Sequence, residues 1–504
     1  MGGILKNDFN PENGLHYGRQ RIILDYDEVT PENLSQVMQK ALGIHNQNAR
    51  DCDYLIRYLL GDQDILSRKG NYTSEINNKI VVNHAFPITR EIVGYTFGSP
   101  VEITQRDLEF QESVNKLSDY YSYEDGYCVD ICTALYCSVC GVGYQITLPS
   151  TDISKDNTPA VPIVYDYYDP RTTFVVSNNQ PGNPVIMSCH YSINSVTGKK
   201  EYTCYTNKYK FEFVNMDMNT LEVSRNPLGM NPITMIENSL FLTGDWEQAI
   251  SVMNAENQVA SDSLNDIEGT IKSLLVLIGA EFENDESIDN VKTKRILSLT
   301  KGTGDNSNLD AKFIAPQLDS VSVENIREYL ENARKIITGI PDRSANSSGG
   351  DTGTAVLNRD GWTDIEIVAK LKEMFFKKGK KRQLAVGMKI LQMLGLLDNN
   401  LTILDVNVHF GRNNYDNLQT KTQAFSALVA TGELATIDCL ELSNLTNKTR
   451  EIVERGKEAK KEREQEAIEM AKEAAKASGE GNSTSNQNGA NKTAEIEKKV
   501  AQET

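Results

Sequence analysis

The sequence has no excess of basic residues and no long apolar run. Of its 504 residues, 52 are Lys or Arg and 70 are Asp or Glu, so the formal net charge is −18. A domain that grips DNA carries a basic stripe, and this balance argues against that class. It leaves open a protein that encloses or passes DNA. The longest apolar run, residues 273–280, is shorter than the roughly 18 residues of a membrane helix, so we expect no membrane partner.

Cysteine is also too scarce for a disulfide scaffold, since only eight residues occur in the whole chain. Residues 1–14 lack the basic region and apolar core of a signal peptide, so we expect synthesis and use in a cytoplasm. The spacing of a cysteine cluster within an apolar helical pattern favours core packing. A zinc site is the alternative, because the last pair forms a CxxC. The cluster consists of Cys128, Cys132, Cys137 and Cys140.

Recognised catalytic motifs are missing. The glycine-rich stretch "SANSSGGDTGTAVLNRDG" (344–361) has no Lys and follows a helical pattern rather than a strand, which argues against phosphate binding. The five histidines are not at ligand spacing, so we expect structural roles for them. Acidic clusters at residues 25–28 and 166–169 are typical of a solvated surface. We therefore expect no catalytic residue, no metal and no cofactor, with a metal-dependent nuclease as a remote alternative.

The periodicity of the first half of the chain predicts a mixed α+β body. A polar arm over residues 1–25 precedes a helical region that extends to about Gly61. Residues 77–103 then show a strand, helix and strand pattern. From about residue 140 to 240, short alternating runs separated by Gly, Pro and Asn predict an antiparallel sheet.

The second half is dominated by helical patterns. Residues 244–282 predict one long helix, and residues 322–340 a second one that ends at Pro341. A third helix, over residues 362–396, carries the basic run "KKGKKR" (377–382), with a kink expected at Gly379. We expect this run on a solvated or intersubunit face, and contact with DNA remains open. The second helix has one apolar face formed by Ile326, Leu330, Ala333, Ile336, Ile337 and Ile340.

The order of these parts resembles the portal proteins of tailed bacteriophages, of the siphophage head-to-tail connector type. Three segments carry the resemblance, which covers roughly residues 50–458. They are "YLLGDQDIL" with the following "NNKIVVNHAFPITREIVGYTFGSPVEI", "SLFLTGDWEQAISVMNAENQVASD", and "NLTNKTREIVERGKE".

The resemblance implies an α+β portal fold, with long stem helices, an α/β wing, a small clip insert and a helical crown, assembled as a ring. It divides the chain into a flexible arm (1–25), the wing (26–243), a stem helix (244–282), the clip (283–321), a stem helix (322–340), the tunnel loop (341–360), a long kinked helix with a wing return strand (361–412), the crown (413–460) and a charged, partly disordered tail (461–504).

The resemblance also implies the partners. Such a ring usually has twelve subunits and occupies one capsid vertex of the virion, after assembly in the host cytoplasm. The terminase large subunit pumps double-stranded DNA through it without sequence preference, and the DNA leaves by the same channel at infection. Further partners are the major capsid and scaffold proteins and the head-completion adaptor. The portal itself is not an enzyme and needs no cofactor.

Two groups of residues are implied as contact sites. The tunnel loop would meet DNA through Arg343, Asn346, Ser347, Ser348, Thr352, Thr354, Asn358 and Arg359. The clip would meet the motor or the adaptor through Lys292, Lys294, Arg295, Lys301 and Lys312. Another capsid-associated protein, such as a scaffold or minor head protein, is the alternative class. It predicts a dominantly helical body, which the β-rich residues 140–240 argue against.

Overall fold

A computed structural model of the protein describes most of the chain. By contacts the chain divides into two compact units, Met1–Asn413 and Asn414–Thr504. The described residues are 18–69, 76–106, 108–150, 162–271, 274–278, 280–282, 299–301, 310–314, 320–341, 362–411, 418–432, 434–443 and 449–479.

The helices follow apolar patterns spaced three and four residues apart. The first, for example, buries Leu34, Val37, Met38 and Ala41 along one side. The described helices are α1 (Leu34–Leu59), α2 (Ala85–Phe97), α3 (Gln111–Tyr123), α4 (Gly126–Cys140), α5 (Ile250–Ile271), α6 (Ser320–Thr338), α7 (Trp362–Met393), α8 (Leu418–Ala430), α9 (Thr436–Ser443) and α10 (Thr449–Gly479).

Strands occur mainly between α4 and α5, as the alternating pattern predicts. They are β1 (Ile22–Leu24), β2 (Val101–Gln105), β3 (Val142–Pro149), β4 (Ile163–Tyr168), β5 (Thr173–Asn178), β6 (Val185–Ile193), β7 (Lys200–Tyr205), β8 (Tyr209–Val214), β9 (Asp217–Arg225), β10 (Ile233–Glu237), β11 (Leu274–Ile278), β12 (Ala280–Phe282), β13 (Leu299–Lys301), β14 (Asp310–Ile314) and β15 (Val406–Phe410). The described part of the chain is therefore of the predicted α+β class.

A six-stranded sheet in the order β1-β5-β6-β7-β8-β9 forms, together with α1, what we call the sheet module. All neighbours are antiparallel except β1 and β5, which confirms the antiparallel sheet expected over residues 140–240. Alternate side chains of the strands pack against α1. The core of the module includes Val37, Met38, Phe174, Met187, Cys204 and Phe211.

The N-terminal arm is shorter than predicted. Residues 22–24 form β1 and pair in parallel with β5, and Ile22 is only 5% exposed. Arg19 is equally buried, and its guanidinium is paired with the Glu247 carboxylate at 2.5 Å, which makes burial of the charge tolerable. The prediction of a flexible arm is therefore wrong for residues 18–25. The buried ion pair and the parallel strand pairing hold these residues against the rest of the unit. Neither interaction can be predicted from the local composition.

A second, three-stranded sheet in the order β10-β3-β4 packs between α4 and α7. Gly379 of α7 faces this sheet, and a Cβ at that position would lie 2.7 Å from Ile236 Cγ1 of β10. Glycine therefore permits the close approach of helix and strand, a role different from the predicted kink. The predicted third helix is confirmed over Trp362–Met393. The return strand is confirmed as β15, which pairs with β2.

The long helix predicted over residues 244–282 is wrong beyond Ile271. Helix α5 ends there, and β11 and β12 follow, paired with β14 and β13 respectively. An apolar run of five to eight residues suits a strand as well as a buried helix, and periodicity alone cannot separate the two. Residues 274–278 form a strand rather than a helix because they pair in antiparallel orientation with residues 310–314. The β-containing insert therefore begins at residue 274 rather than 283.

The segment 76–84, part of which was predicted as a strand, is extended but pairs with a helix instead of a sheet. Its alternate main-chain N–H groups point to α5, whose small polar residues recur every four positions. The main-chain N–H of Asn78 donates to Asn265 Oδ1 (2.8 Å), that of Ile80 to Ser261 Oγ (2.9 Å) and that of Val82 to Asn257 Oδ1 (2.7 Å).

The second unit is helical in its described part and contains α8, α9 and α10. Helices were predicted there through residue 458, with a charged helix opening the tail. Helix α10 runs without a break from Thr449 to Gly479, so the expected boundary between crown and tail at residue 460 falls inside one helix.

Candidate functional site

Most residues predicted as contact sites lie outside the described residues. This holds for all eight predicted tunnel-loop residues, which fall in residues 342–361, and for Lys292, Lys294 and Arg295. Lys301 is the last residue of β13, and Lys312 is the central residue of β14. These two lysines belong to different strand pairs. The described part of the predicted clip therefore places its two lysines on separate ribbons.

Helices α5 and α6 are joined by a buried ion pair. Arg334 Nε of α6 donates to both carboxylate oxygens of Glu256 on α5, at 3.0 and 3.1 Å. His84 Nε2 lies 3.5 Å from the same carboxylate. Burial, with Arg334 nearby, lowers the pKa of His84. A buried carboxylate is tolerated when it is paired in this way, so Arg334 and Glu256 fix the two helices in one register.

Beside this ion pair lies a cavity of about 570 Å³, which we call the α5–α6 groove. Its walls come from both helices and from the segment 76–84, and they combine apolar with polar and charged side chains. The apolar ones are Val82, Val259, Ala260, Val323 and Leu330, and the charged ones include Glu256, Glu324, Arg327, Glu331 and Arg334. A concave surface between two packed helices can receive the side chains of another segment.

Of the apolar face predicted for the second stem helix, Ile326, Ile336 and Ile337 are exposed, whereas Leu330, Ala333 and Ile340 are half-buried. On α6, Ile336 is 81% exposed, Tyr329 72% and Ile326 50%. On α5, Leu264 and Ile267 are also exposed. Several large exposed apolar side chains on two neighbouring helices are typical of an interaction surface. The pattern therefore indicates that these two helices meet further protein.

The inner face of α7 carries lysine where an apolar residue is usual. Lys372 is 5% exposed. Its Nζ donates to both oxygens of Asp245, at 2.6 and 2.8 Å, and to Asn238 Oδ1 at 2.6 Å. One turn later Phe376 packs against Phe97 of α2, with ring centroids 4.5 Å apart. An ion pair and an aromatic contact thus anchor the N-terminal half of α7.

Lys380, in the middle of the basic run, is fully buried. Its Nζ donates to Asp130 Oδ1 at 2.9 Å, to Gln383 Oε1 at 2.6 Å and to the Tyr121 hydroxyl. Burial lowers the pKa of Lys380 to about 8, and Asp130 opposes this shift. The expected solvated or intersubunit face is therefore wrong for Lys380. Its neighbour Lys378 is exposed and pairs with Glu237 at 3.3 Å.

The outer face of α7 is apolar in its N-terminal half. Ile367, Leu371 and Met374 are 53%, 54% and 68% exposed. Their spacing of four and three residues places them on one side of the helix. We call these three residues the α7 stripe. Side chains from α7 therefore point both into the body of the unit and away from it.

The cysteine cluster divides along α4. Cys137 and Cys140 are buried, as core packing predicts, whereas Cys128 is exposed and Cys132 half-buried. Burial raises the pKa of the Cys137 thiol to about 12. Within the described ranges no group of three or more His, Cys, Asp or Glu side chains is placed to hold a metal ion.

The histidines and acidic clusters take part in local structure. His190 stacks on Tyr168 with ring centroids 3.8 Å apart, and His45 packs against Phe174. In the acidic clusters, Glu28 pairs with Lys208 and Asp169 with Arg171. These contacts agree with the structural roles expected for His45 and His190, whereas His16 lies outside the described residues.

The buried lysines of α7 were missed by sequence reasoning. Buried positions on α7 include Ile365, Ala369, Lys372, Phe376 and Lys380, spaced three or four apart. Lysine normally counts as polar in a periodicity search, so this face did not register as buried. The available signal was that two lysines eight residues apart share the phase of the apolar positions.

Comparison with known proteins identifies the family. In the part of the chain that the structure describes, no helix has the length and apolar character needed to cross a membrane. A search of curated proteins gives no match. The model of the family described as phage portal protein, SPP1 Gp6-like, matches residues 39–478. Because that match spans well over half of the chain, the protein belongs to the SPP1 Gp6-like family of phage portal proteins.

Proposed function

We propose that the chain assembles into a ring of twelve subunits that forms the DNA channel at one capsid vertex. Double-stranded DNA enters through this channel during packaging and leaves through it at infection. The observation that carries the proposal is the family match over residues 39–478. The ring acts as a conduit and a docking platform, and the energy for DNA movement comes from a separate motor.

The exposed apolar faces of α5, α6 and α7 support assembly into a ring. A side chain such as Ile336, at 81% exposure, gains free energy when a neighbouring subunit removes it from water. The exposed residues lie on three helices of one unit, so an association that buries them would involve all three. Ring formation is the association that the family membership favours.

The charge of the chain supports passage of DNA rather than its retention. Each phosphate contact by Lys or Arg adds a salt-sensitive increment of affinity, and many such contacts would hold DNA in place. The net charge is −18. The 22 residues of α5, predicted to belong to the stem, include four carboxylates and no Lys or Arg. Two of these, Glu256 and Asp262, are neutralised by Arg334 and Arg68 of the same subunit, so α5 offers DNA no unpaired cation and little net charge of either sign.

Finer roles follow from the same proposal. The tunnel loop 341–360 would touch DNA through its polar residues, with Arg343 and Arg359 as its charged contacts. The basic residues of the clip, among them Lys301 and Lys312, would meet the terminase or the head-completion adaptor. The major capsid protein would surround the ring in the virion, and assembly would take place in the host cytoplasm.

Particle imaging of the purified full-length protein tests the proposal. We expect rings with a central hole, and a monomer or dimer at micromolar concentration under every salt condition would refute it. Deletion of residues 345–353 tests the tunnel loop separately. Rings should still form while DNA packaging or retention is impaired, and unchanged packaging would remove the loop from the channel.

A further inference from the structure

We propose that a cavity between the two sheets binds a small phosphate monoester that also carries a hydroxyl group. The cavity, which we call the intersheet cavity, has a volume of about 250 Å³. Val175 of β5 and Val142 and Tyr144 of β3 line it, together with the segment 19–23 and α7. Because the ligand is a small molecule, this inference goes beyond the proposed DNA channel.

The intersheet cavity has more positive than negative charge. Apart from the Arg19 ion pair described above, three cations and one carboxylate line it among the described residues. Arg21 and Lys378 share that carboxylate, which belongs to Glu237. Arg382 is exposed and has no ion-pair partner in the part of the chain that the structure describes. Two positive charges therefore remain without an anion, in a chain whose net charge is −18.

A buried hydrogen-bond acceptor in the lining also lacks a donor. His45 is 1% exposed, and its Nε2 has no hydrogen-bond partner among the described residues. The imidazole ring donates to the main chain of Arg171 through its other nitrogen, Nδ1. Burial lowers the pKa of His45 to about 4, so the ring is neutral at pH 7 and Nε2 carries a lone pair. A buried acceptor without a donor costs about 1–3 kcal/mol, and a ligand hydroxyl supplies the donor.

These two features define the class of ligand. A phosphate monoester carries nearly two negative charges at pH 7, because its second pKa is about 6. It therefore matches the two unbalanced cations better than a carboxylate, which has one charge. The guanidinium of Arg382 is suited to bidentate contact with phosphate oxygens. The volume is that of about eight water molecules at about 30 Å³ each, which suits a ligand of about ten non-hydrogen atoms.

Three matched probes test the two ligand groups by isothermal titration calorimetry on the full-length protein at low ionic strength. Glycerol 3-phosphate carries both groups, propyl phosphate lacks the hydroxyls, and glycerol lacks the phosphate. We expect glycerol 3-phosphate to bind with a Kd below about 1 mM and at least about fivefold more tightly than propyl phosphate, with no binding of glycerol. Absence of glycerol 3-phosphate binding at about 10 mM, or equal binding of glycerol, would overturn the proposal.

Substitutions in the cavity test the charged contacts in both directions. Arg382→Gln should weaken binding of glycerol 3-phosphate by about fivefold or more. Glu237→Gln removes the carboxylate that competes for Arg21 and Lys378, so it should tighten binding by about threefold or more. Lys389→Gln is the control, on an exposed lysine of the same helix outside the cavity lining, and should change the Kd by less than about twofold. Equal affinity of all three variants would mean that the phosphate binds elsewhere.

His45→Asn tests the hydroxyl contact separately. The asparagine amide can replace Nδ1–H as the donor to Arg171, but the variant lacks Nε2. Its affinity for glycerol 3-phosphate should fall to that for propyl phosphate, whose own Kd should stay unchanged. A preference for glycerol 3-phosphate that survives in this variant would remove His45 from the site. If the variant does not fold, the preference of the wild-type protein between the two phosphates still decides whether a hydroxyl is recognised. None of these measurements depends on ring assembly.

Discussion

The sheet module and the three helices α5, α6 and α7 have opposite distributions of polar and apolar residues. In the sheet module Phe174 and Phe211 are 1% and 0% exposed. In the helices Lys380 is buried while Ile336 is 81% exposed. The module places its apolar side chains inside, whereas the helices bury charges and leave apolar faces in water.

This difference shows which part of the subunit is complete by itself. Helix α1 covers the hydrophobic face of the six-stranded sheet, so the sheet module buries its apolar side chains within one chain. An ion pair between Arg334 and Glu256 joins α6 to α5, and one between Lys372 and Asp245 holds α7 to the rest of the unit. The apolar side chains on the outer faces of these helices remain exposed. Four changes would break or sharpen this contrast, taken from the largest expected effect to the smallest.

Lys380→Met should destabilise the subunit by about 3–5 kcal/mol, because it leaves the Asp130 carboxylate buried without its cation. Urea denaturation followed by circular dichroism measures the loss. Lys381→Met, on the neighbouring and less buried lysine, is the control and should change stability by less than about 0.5 kcal/mol. The double variant Lys380→Met, Asp130→Leu should recover much of the loss. Similar stability of both single variants would show that Lys380 is not buried as a charge.

Acid should weaken the sheet module through His45. Burial lowers the pKa of His45 to about 4, from its ordinary 6.5. The unfolded chain therefore binds a proton below pH 6.5 that the folded chain does not, so stability is present above pH 6.5 and is lost towards pH 4. Between pH 7 and pH 5 the loss is about 2 kcal/mol. Urea midpoints at both values measure it, and His45→Gln should reduce the pH dependence by that amount.

Gly379→Ala should destabilise the subunit by about 1 kcal/mol. The new Cβ would lie 2.7 Å from Ile236 Cγ1, and such overpacking outweighs the better helix propensity of alanine. Gly43→Ala in α1 is the matched control, since nothing lies within 4 Å of a Cβ there. It should raise stability by about 1 kcal/mol. Thermal melts of the two variants should therefore move in opposite directions, and parallel shifts would contradict close packing at Gly379.

Ile336→Gln should change the stability of the dissociated subunit by less than about 0.5 kcal/mol, because this side chain is already in water. Denaturation at a protein concentration below that of assembly checks this. A loss comparable with that of a buried isoleucine would mean that the face of α6 carrying Ile336 also packs within its own subunit. The contrast with the sheet module would then disappear.

Local patterns predicted the elements whose signals lie within a few residues. The alternation over residues 140–240 predicted the antiparallel strands, and the periodicity of residues 362–396 predicted α7 to within three residues of its end at Met393. The cysteines of α4 show the limit of such patterns. Their helical spacing predicted burial, yet Cys128 is exposed because it lies on the outer side of the same helix.

Elements whose state depends on a distant partner could not be predicted. Residues 274–278 are apolar enough for helix or strand, and residues 310–314 decide between them by pairing. The segment 76–84 has the pattern of a strand but finds its partners in the side chains of α5. Lys380 was placed on the surface because its acid, Asp130, is 250 residues away.

By itself the sequence determined the α+β class, the sites of most helices and strands, and membership of a phage portal family, since these depend on local periodicity and on the order of segments. The tertiary structure decided which charges are buried, where α5 ends, and which apolar faces remain exposed. These properties depend on contacts between residues far apart in the chain, and the free energy of burying a side chain is set by what packs against it.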